Sequence, residues 1–323
     1  MREKILLLLK GMAMGAADLV PGVSGGTIAF ISGIYEELLH SLRRLTPSAV
    51  GILIRQGWRP FWRYINGTFL LTLMSGVLLS IFTLARLVSY AFDHYEVLVW
   101  AFFFGLIVAS VIYIGRQLSL RRIGAWVALA AGTLVALAIS LGQLSMQLPT
   151  DWWMIAIAGS IAICAMILPG VSGSFLLLLM GVYPVVLRAL TEFDWVLLGS
   201  FVIGAVSGLL LFSHVLSWLL RHYRNVTLAT LTGFLVGSLH IVWPWKQTLT
   251  VFVDRHGDTV PLTQANLWPA QYAQATGSEP QTLAVVLLMV VGVVLVLGLE
   301  AAGARYSKKA GLAKEPLAVD GPL

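Results

Sequence analysis

The pentapeptide Pro-Gly-Val-Ser-Gly occurs twice in this chain, at Pro21–Gly25 and Pro169–Gly173. Both copies lie near the middle of apolar stretches, 11–40 and 152–190, each too long for one membrane-spanning helix. Proline has no amide hydrogen to give a helix, and its ring clashes with the preceding turn. Each stretch therefore reads as helix, break, helix: a hairpin that dips into the membrane and returns. Backbone broken at membrane depth is tolerated only where protein or a water-filled cavity surrounds it. The rest of the chain must then wrap both breaks.

Composition agrees with a membrane setting. Hydrophobic residues make up 58% of the chain and charged residues 11%, where a soluble domain carries about a quarter charged. A soluble globular enzyme is excluded, and so is a disordered chain. Six further runs are each near the ~20 apolar residues a span needs: 66–90, 96–115, 123–145, 196–220, 226–245 and 281–302. Arg2 and Lys4 before Ile5–Leu9 resemble a signal peptide, but Lys10 cuts the apolar run too short for one. The single cysteine, Cys164, supports neither a disulfide framework nor a cysteine metal site. With no HExxH motif and no clustered carboxylates, no metal or other cofactor is expected. The net charge of +6 reads as loop charge facing the cytoplasm, not as a nucleic-acid surface.

Basic residues set the orientation. With the N-terminus inside and both hairpins returning to the side they came from, the outside keeps only Arg86, Arg188, Lys246 and Arg255 of the 21 basic residues. Outer segments hold acids instead, among them Asp93, Glu96, Asp151, Glu192 and Asp194. The positive-inside rule then places both termini, including the tail 306–323, in the cytoplasm and loop 246–280 outside. Parity does not decide whether each hairpin is re-entrant or crosses fully.

The broken segments are copies. PGVSGGTIAFISGIY at Pro21–Tyr35 and PGVSGSFLLLLMGVY at Pro169–Tyr183 share seven of fifteen positions without a gap, at an offset of 148. Further on, Ser75-Gly76 matches Ser207-Gly208, Phe102 matches Phe234 and Gly105 matches Gly237, at an offset of 132. The offset falls because the Arg-rich loop 41–65 is longer than its counterpart. Residues 1–150 and 151–305 are thus each one broken hairpin plus three spans. Three is odd, so the second copy starts on the opposite face. The expected fold is an all-α integral membrane protein with an inverted-topology repeat, a common plan of secondary transporters.

Ser24 and Ser172 stand where a helix N-cap is needed. The glycines after them expose backbone amides, and a helix N-terminus carries partial positive charge. Two such ends meeting from opposite faces would make an anion site suited to phosphate or carboxylate. Its candidate residues are Ser24, Gly25, Gly26 and Thr27 with Ser172, Gly173 and Ser174. The same residues would also serve as simple caps and small packing residues. Asp18 lies three residues before Pro21, and its counterpart is Met166. An acid at membrane depth is a functional candidate by default. Asp18 is read as a proton carrier, or as a cap on a local turn. Tyr35 and Tyr183 close the motifs and are candidates to line a cavity or to anchor at the interface. Arg86 and Arg188 are candidates to recruit an anionic head group; salt bridges to Asp93 or Glu192 would be the structural alternative.

The stretch GMAMGAADLVPGVSGGTIAFISGIYEELL, with AMILPGVSGSFLLLLMGVY, resembles a bacterial membrane family associated with polyprenyl-phosphate transport. The resemblance covers essentially the whole chain. It implies return of undecaprenyl phosphate from the outer to the inner leaflet of the cytoplasmic membrane, for reuse in peptidoglycan and other envelope polymers. The implied partner is the polyprenyl-phosphate lipid, and a homo-oligomer is left open. The rival reading is an undecaprenyl-pyrophosphate phosphatase, whose motif is PGxSRS. Here PGVSGG and PGVSGS carry no Arg after Ser, and Glu36-Glu37 are adjacent where an ExxxE pair is needed. Phosphoryl hydrolysis would lack its clamp and its base. A small-anion transporter is the third reading, since helix ends alone do not specify a lipid.

Overall fold

A computed structural model describes residues 2–18, 24–119, 122–141, 148–149, 151–253 and 259–309. The first break, Pro21-Gly22, lies outside the described residues; the second, Pro169-Gly170, lies within them.

Helix α1 (Arg2–Asp18) runs through Lys10 without interruption. The Lys10 ammonium donates to the Ser32 carbonyl at 2.6 Å, just past the end of α2 (Gly25–Ile31). That contact brings the end of α2 back to the level of mid-α1, as a hairpin requires. Gly33, at φ 72°, turns the chain into α3 (Tyr35–Arg43). The Arg-rich loop is itself helical: α4 (Pro47–Gln56) and α5 (Trp58–Tyr64) are separated by Gly57.

The expected spans 66–90 and 96–115 are joined in one element, α6 (Gly67–Gly115), which is kinked at Tyr95 (φ −139°, ψ 35°). At 1.5 Å per residue its 49 residues would reach about 74 Å if straight. A bilayer core is about 30 Å, so the kink separates two membrane-length segments, Gly67–Leu84 and His94–Gly115. Then follow α7 (Ile123–Ser140), α8 (Trp152–Ile167), α9 (Gly173–Leu179), α10 (Tyr183–Glu192) and α11 (Trp195–His222). Helix α12 (Arg224–Ser238) stops short of the expected 226–245. Its residues are mostly buried, so it is a central element of less than membrane length.

Loop 246–280 holds an antiparallel pair, β1 (Lys246–Val253) and β2 (Thr259–Asn266), with Lys246 opposite Asn266. His256-Gly257-Asp258, between Thr250–Asp254 and Thr259–Leu262, is a turn signal in the sequence and lies outside the described residues. A short α13 (Pro269–Thr276) leads to α14 (Thr282–Lys309). The protein is therefore a helical multi-pass membrane protein. Among the described residues, four segments are long and apolar enough to cross, and α9 and α10 form one pair bent by 101°.

The repeat is visible in backbone geometry. Ile34 N–H bonds to the Ala29 carbonyl, and Val182 N–H to the Leu177 carbonyl; each pair closes α2 or α9 at the same repeat position. Gly181, at φ 70°, matches Gly33. Lipid tails are as apolar as leucine, so helices associate through small residues and close backbone contact. A Cβ on Gly76 would meet the Leu8 carbonyl of α1, and one on Gly208 would meet Ser160 of α8. Close helix pairs also join the N-terminal and C-terminal halves of the sequence. Helix α7 meets α12 through Gly132 and Gly233, and α14 meets α6 through Gly105 and Gly292. The two halves of the sequence are interlocked.

Candidate functional site

The start of α2 meets the second break. Ser24, with extended backbone, caps α2: its side chain accepts the Gly26 N–H at 3.1 Å, and its carbonyl accepts the Thr27 N–H at 2.9 Å. The first amide of the helix, Gly25 N–H, donates to the Asp18 carboxylate at 2.6 Å. Asp18 therefore places a carboxylate where the α2 terminus would favour an anion.

First-repeat side chains then reach into the second break. Helix α8 ends at Ile167, leaving its last carbonyls without intrahelical partners. The Ser24 hydroxyl donates to the Met166 carbonyl at 2.6 Å, and the Tyr35 hydroxyl donates to the Ile167 carbonyl at 3.1 Å. Gly170 N–H donates to Thr27 Oγ1 at 2.9 Å. Gly170 sits at φ 84°, and a Cβ there would collide with the Phe234 carbonyl and the Ser238 hydroxyl. Ser24, Thr27 and Tyr35 are all buried.

At the second break, Ser172 caps α9 by accepting the Phe175 N–H at 3.4 Å. Its hydroxyl lies 3.0 Å from that of Ser174. Ser172 and Gly173 are buried, while Ser174 is exposed. The structure thus brings Ser24, Gly26 and Thr27 against the carbonyl end of α8 and the start of the second break. In this arrangement the glycines face protein: Gly25 the Asp18 carboxyl, Gly26 the Met166 and Ile167 carbonyls, and Gly173 the Ala162 carbonyl.

Other candidates lie elsewhere. Tyr183 is half-buried and packs with the apolar cluster around Leu177 and Met180. Arg86 and Arg188 are exposed. The side chain of Asp93 lies outside the described residues. Among the described residues, no three His, Cys, Asp or Glu side chains gather as a metal site would need. Sequence reading missed the cross-repeat roles of Thr27 and Tyr35, and the carbonyls of Met166 and Ile167. A carbonyl acceptor leaves no mark in a sequence. The early stop of α8 before Pro169 was the available signal.

A family profile described as undecaprenyl phosphate translocase-like matches residues 14–260, which include both breaks. The chain belongs to that family. It is 48% identical over 301 residues to a polyprenyl-phosphate transporter of Vibrio cholerae, covering 93% of this chain and 96% of the relative. It is 34% identical over 278 residues to a polyprenyl-phosphate transporter of Staphylococcus aureus, covering 77% of this chain and 93% of that relative. No solved structure matches the chain.

Proposed function

We propose that this protein returns undecaprenyl phosphate from the outer to the inner leaflet of the bacterial cytoplasmic membrane, with the paired breaks sheltering the phosphate. Family membership carries the lipid; the bonds of Ser24, Thr27 and Tyr35 to the second break carry the site. A lone polyprenyl phosphate crosses slowly because its charged head must leave water, and an unpaired charge in hydrocarbon is very costly. The protein need only shelter the head, while the tail stays in lipid.

The helical elements form an inverted repeat, each copy a re-entrant hairpin plus three spans. The contact from Lys10 to Ser32 supports a first hairpin that returns to its own side. The Leu148 N–H bond to the Met180 carbonyl, at 3.1 Å, supports the same for the second. Cytoplasmic placement of the basic loops is supported by their convergence. Arg43 lies beside Arg221 and Arg44, and its guanidinium is pushed down first by burial and then by those two charges. Arg224 pairs with Glu36 at 2.8 Å. Ser119 and Asn225 exchange hydrogen bonds at 2.8 and 2.9 Å. Loops 41–65, 116–122 and 221–225 therefore share one face. Cysteine labelling in a Cys164→Ala background checks this: an impermeant reagent should reach position 258 in intact cells and not position 310, and the reverse pattern overturns it.

The phosphate binds between the start of α2, at Ser24, Gly25, Gly26 and Thr27, and the start of α9, at Ser172, Gly173 and Ser174. Asp18 holds the Gly25 amide, so phosphate and a charged Asp18 compete for one place. Two unit charges about 4 Å apart repel by roughly 4 kcal/mol at an effective dielectric of 20. Protonation of Asp18 from the outer side removes that repulsion and admits phosphate; proton loss inside favours release.

The deciding experiment follows labelled undecaprenyl phosphate between leaflets in liposomes. Translocation is expected to require the protein. Phosphate release from undecaprenyl pyrophosphate would instead mark an enzyme, and uptake of inorganic phosphate without lipid movement would mark a small-anion transporter.

A further inference from the structure

Away from the paired breaks, the root of the β-hairpin buries a second set of polar groups. The Nζ of Lys246 and the Oδ1 of Asn266 are both buried, and among the described residues neither has a hydrogen-bond partner. These residues face each other across the strand pair. The amine lies 3.4 Å from the centroid of the Trp100 ring. The Trp100 indole N–H donates to Glu96 at 3.2 Å, which ties the ring to a neighbouring carboxylate.

Three other N–H donors nearby are taken. Asn266 Nδ2 donates to the His240 carbonyl at 2.8 Å, which fixes the amide and leaves its oxygen over. The indole N–H groups of Trp243 and Trp245 donate to the carbonyls of Leu267 and Pro280, both at 2.8 Å. Trp245 is buried, and Trp243 packs edge-on against Trp268.

A buried ammonium with no acceptor is costly. Burial pushes the Lys246 amine down to about 7, against the pull of Glu96. Lys246 and His240 also repel when both are charged. What is missing at this spot is one partner that both accepts from an ammonium and donates to an amide oxygen. A monoprotonated phosphate monoester has both, in its P–O⁻ and its P–OH. Tryptophan faces beside it suit the first prenyl units.

We propose that Lys246 and Asn266, against the Trp100 face, form a loading site for a phosphate monoester on the hairpin side of the membrane. The head group binds there before it reaches the paired breaks. Both polar atoms are buried in this structure, so the site must open for loading. The direction of loading rests on the transport reading above; the binding does not.

Two measurements test it on the full-length protein. In proteoliposomes, Lys246→Met should raise the half-saturating lipid concentration about tenfold when substrate is offered from the hairpin side, the size of one charge-assisted hydrogen bond. The maximal rate, and loading from the other side, should stay as in wild type. In detergent, farnesyl phosphate should bind Lys246→Met about tenfold more weakly than wild type, with farnesol as the uncharged control. The melting temperature of Lys246→Met should be unchanged or higher, which shows that the fold survives. Equal farnesyl phosphate affinity for wild type and Lys246→Met overturns the loading site and leaves a water bridge between Lys246 and Asn266. Equal loss from both sides of the vesicle overturns it as well. If wild type moves no lipid but farnesyl phosphate still distinguishes Lys246→Met, the transport reading fails and the site stands.

Discussion

Just after the first break, the Ser24 hydroxyl caps its own helix and also donates to the Met166 carbonyl at 2.6 Å; at the second, the Ser172 hydroxyl stays local, 3.0 Å from Ser174. Tyr35 caps the end of α8, while Tyr183 packs in an apolar cluster. Asp18 holds the first amide of α2, and its counterpart is Met166. Yet both copies make a seven-residue helix, capped by serine and closed by a left-handed glycine. Identical residues therefore dictate the same local backbone, while what each copy reaches for depends on its surroundings. One acid and one set of outward hydroxyls turn a symmetric framework into an asymmetric site. In the proposed site the phosphate would meet one charged competitor, where a strictly symmetric site would hold two or none.

The largest expected effect comes from closing both copies. At Gly25 a Cβ would stand 2.5 Å from the Asp18 carboxyl; at Gly173 it would strike the Ala162 carbonyl. Leucine at either place overpacks the contact, at a cost of about 1–3 kcal/mol or more. Gly25→Leu should abolish translocation of labelled lipid, because it also displaces Asp18 from its amide. Gly173→Leu should do the same by wedging α9 from α8. Membrane insertion, read from expression and protease resistance, should persist in both. Full transport by both well-expressed variants would show that neither glycine faces the moving head group.

Much of this comparison was legible in the residues. The gapless Pro-Gly-Val-Ser-Gly copies, the serine caps and the lone acid could all be read directly, because proline, glycine and capping serine act through their own backbone. The hairpin strands beside His256-Gly257-Asp258 were legible for the same reason. The partners were not. Nothing in the sequence says that Tyr35 bonds the Ile167 carbonyl, since a main-chain acceptor is created by where a helix stops and by what packs there. Nor did hydropathy show that spans 66–90 and 96–115 share one kinked helix, because Asp93 and Glu96 look like a loop. The burial of Lys246 depends on Trp100, far off in sequence, and on the strand register that sets Asn266 opposite.

Asp18→Asn sharpens the difference further, with a smaller loss of function. An amide oxygen can still accept the Gly25 N–H, so the cap and the fold should survive. The charge that competes with phosphate is gone, so binding should be kept or tightened. What should vanish is the response to a pH gradient, because asparagine carries no proton. Translocation in proteoliposomes, with and without an imposed gradient, separates the outcomes. An Asn variant that responds like wild type would reduce Asp18 to a cap. A wild type that ignores the gradient would make the protein a facilitator.

The smallest expected effect isolates the asymmetry itself, since it deletes one oxygen from each copy. Tyr35→Phe keeps the ring and its edge-on contact with Phe30, whose centroid is 5.1 Å away. It removes only the donor to the Ile167 carbonyl. That carbonyl is at the end of α8, so it has no intrahelical amide to fall back on. Leaving a buried acceptor unpaired costs about 1–3 kcal/mol. Tyr183→Phe removes the corresponding oxygen from a half-buried ring that makes no cross-repeat bond among the described residues, and should change stability by less than about 0.5 kcal/mol. Unfolding midpoints of the two variants in the same detergent give the comparison. A clear drop for Tyr35→Phe beside a flat result for Tyr183→Phe is expected. Equal drops would mean that the second tyrosine also caps a break, and that the two copies serve the site alike.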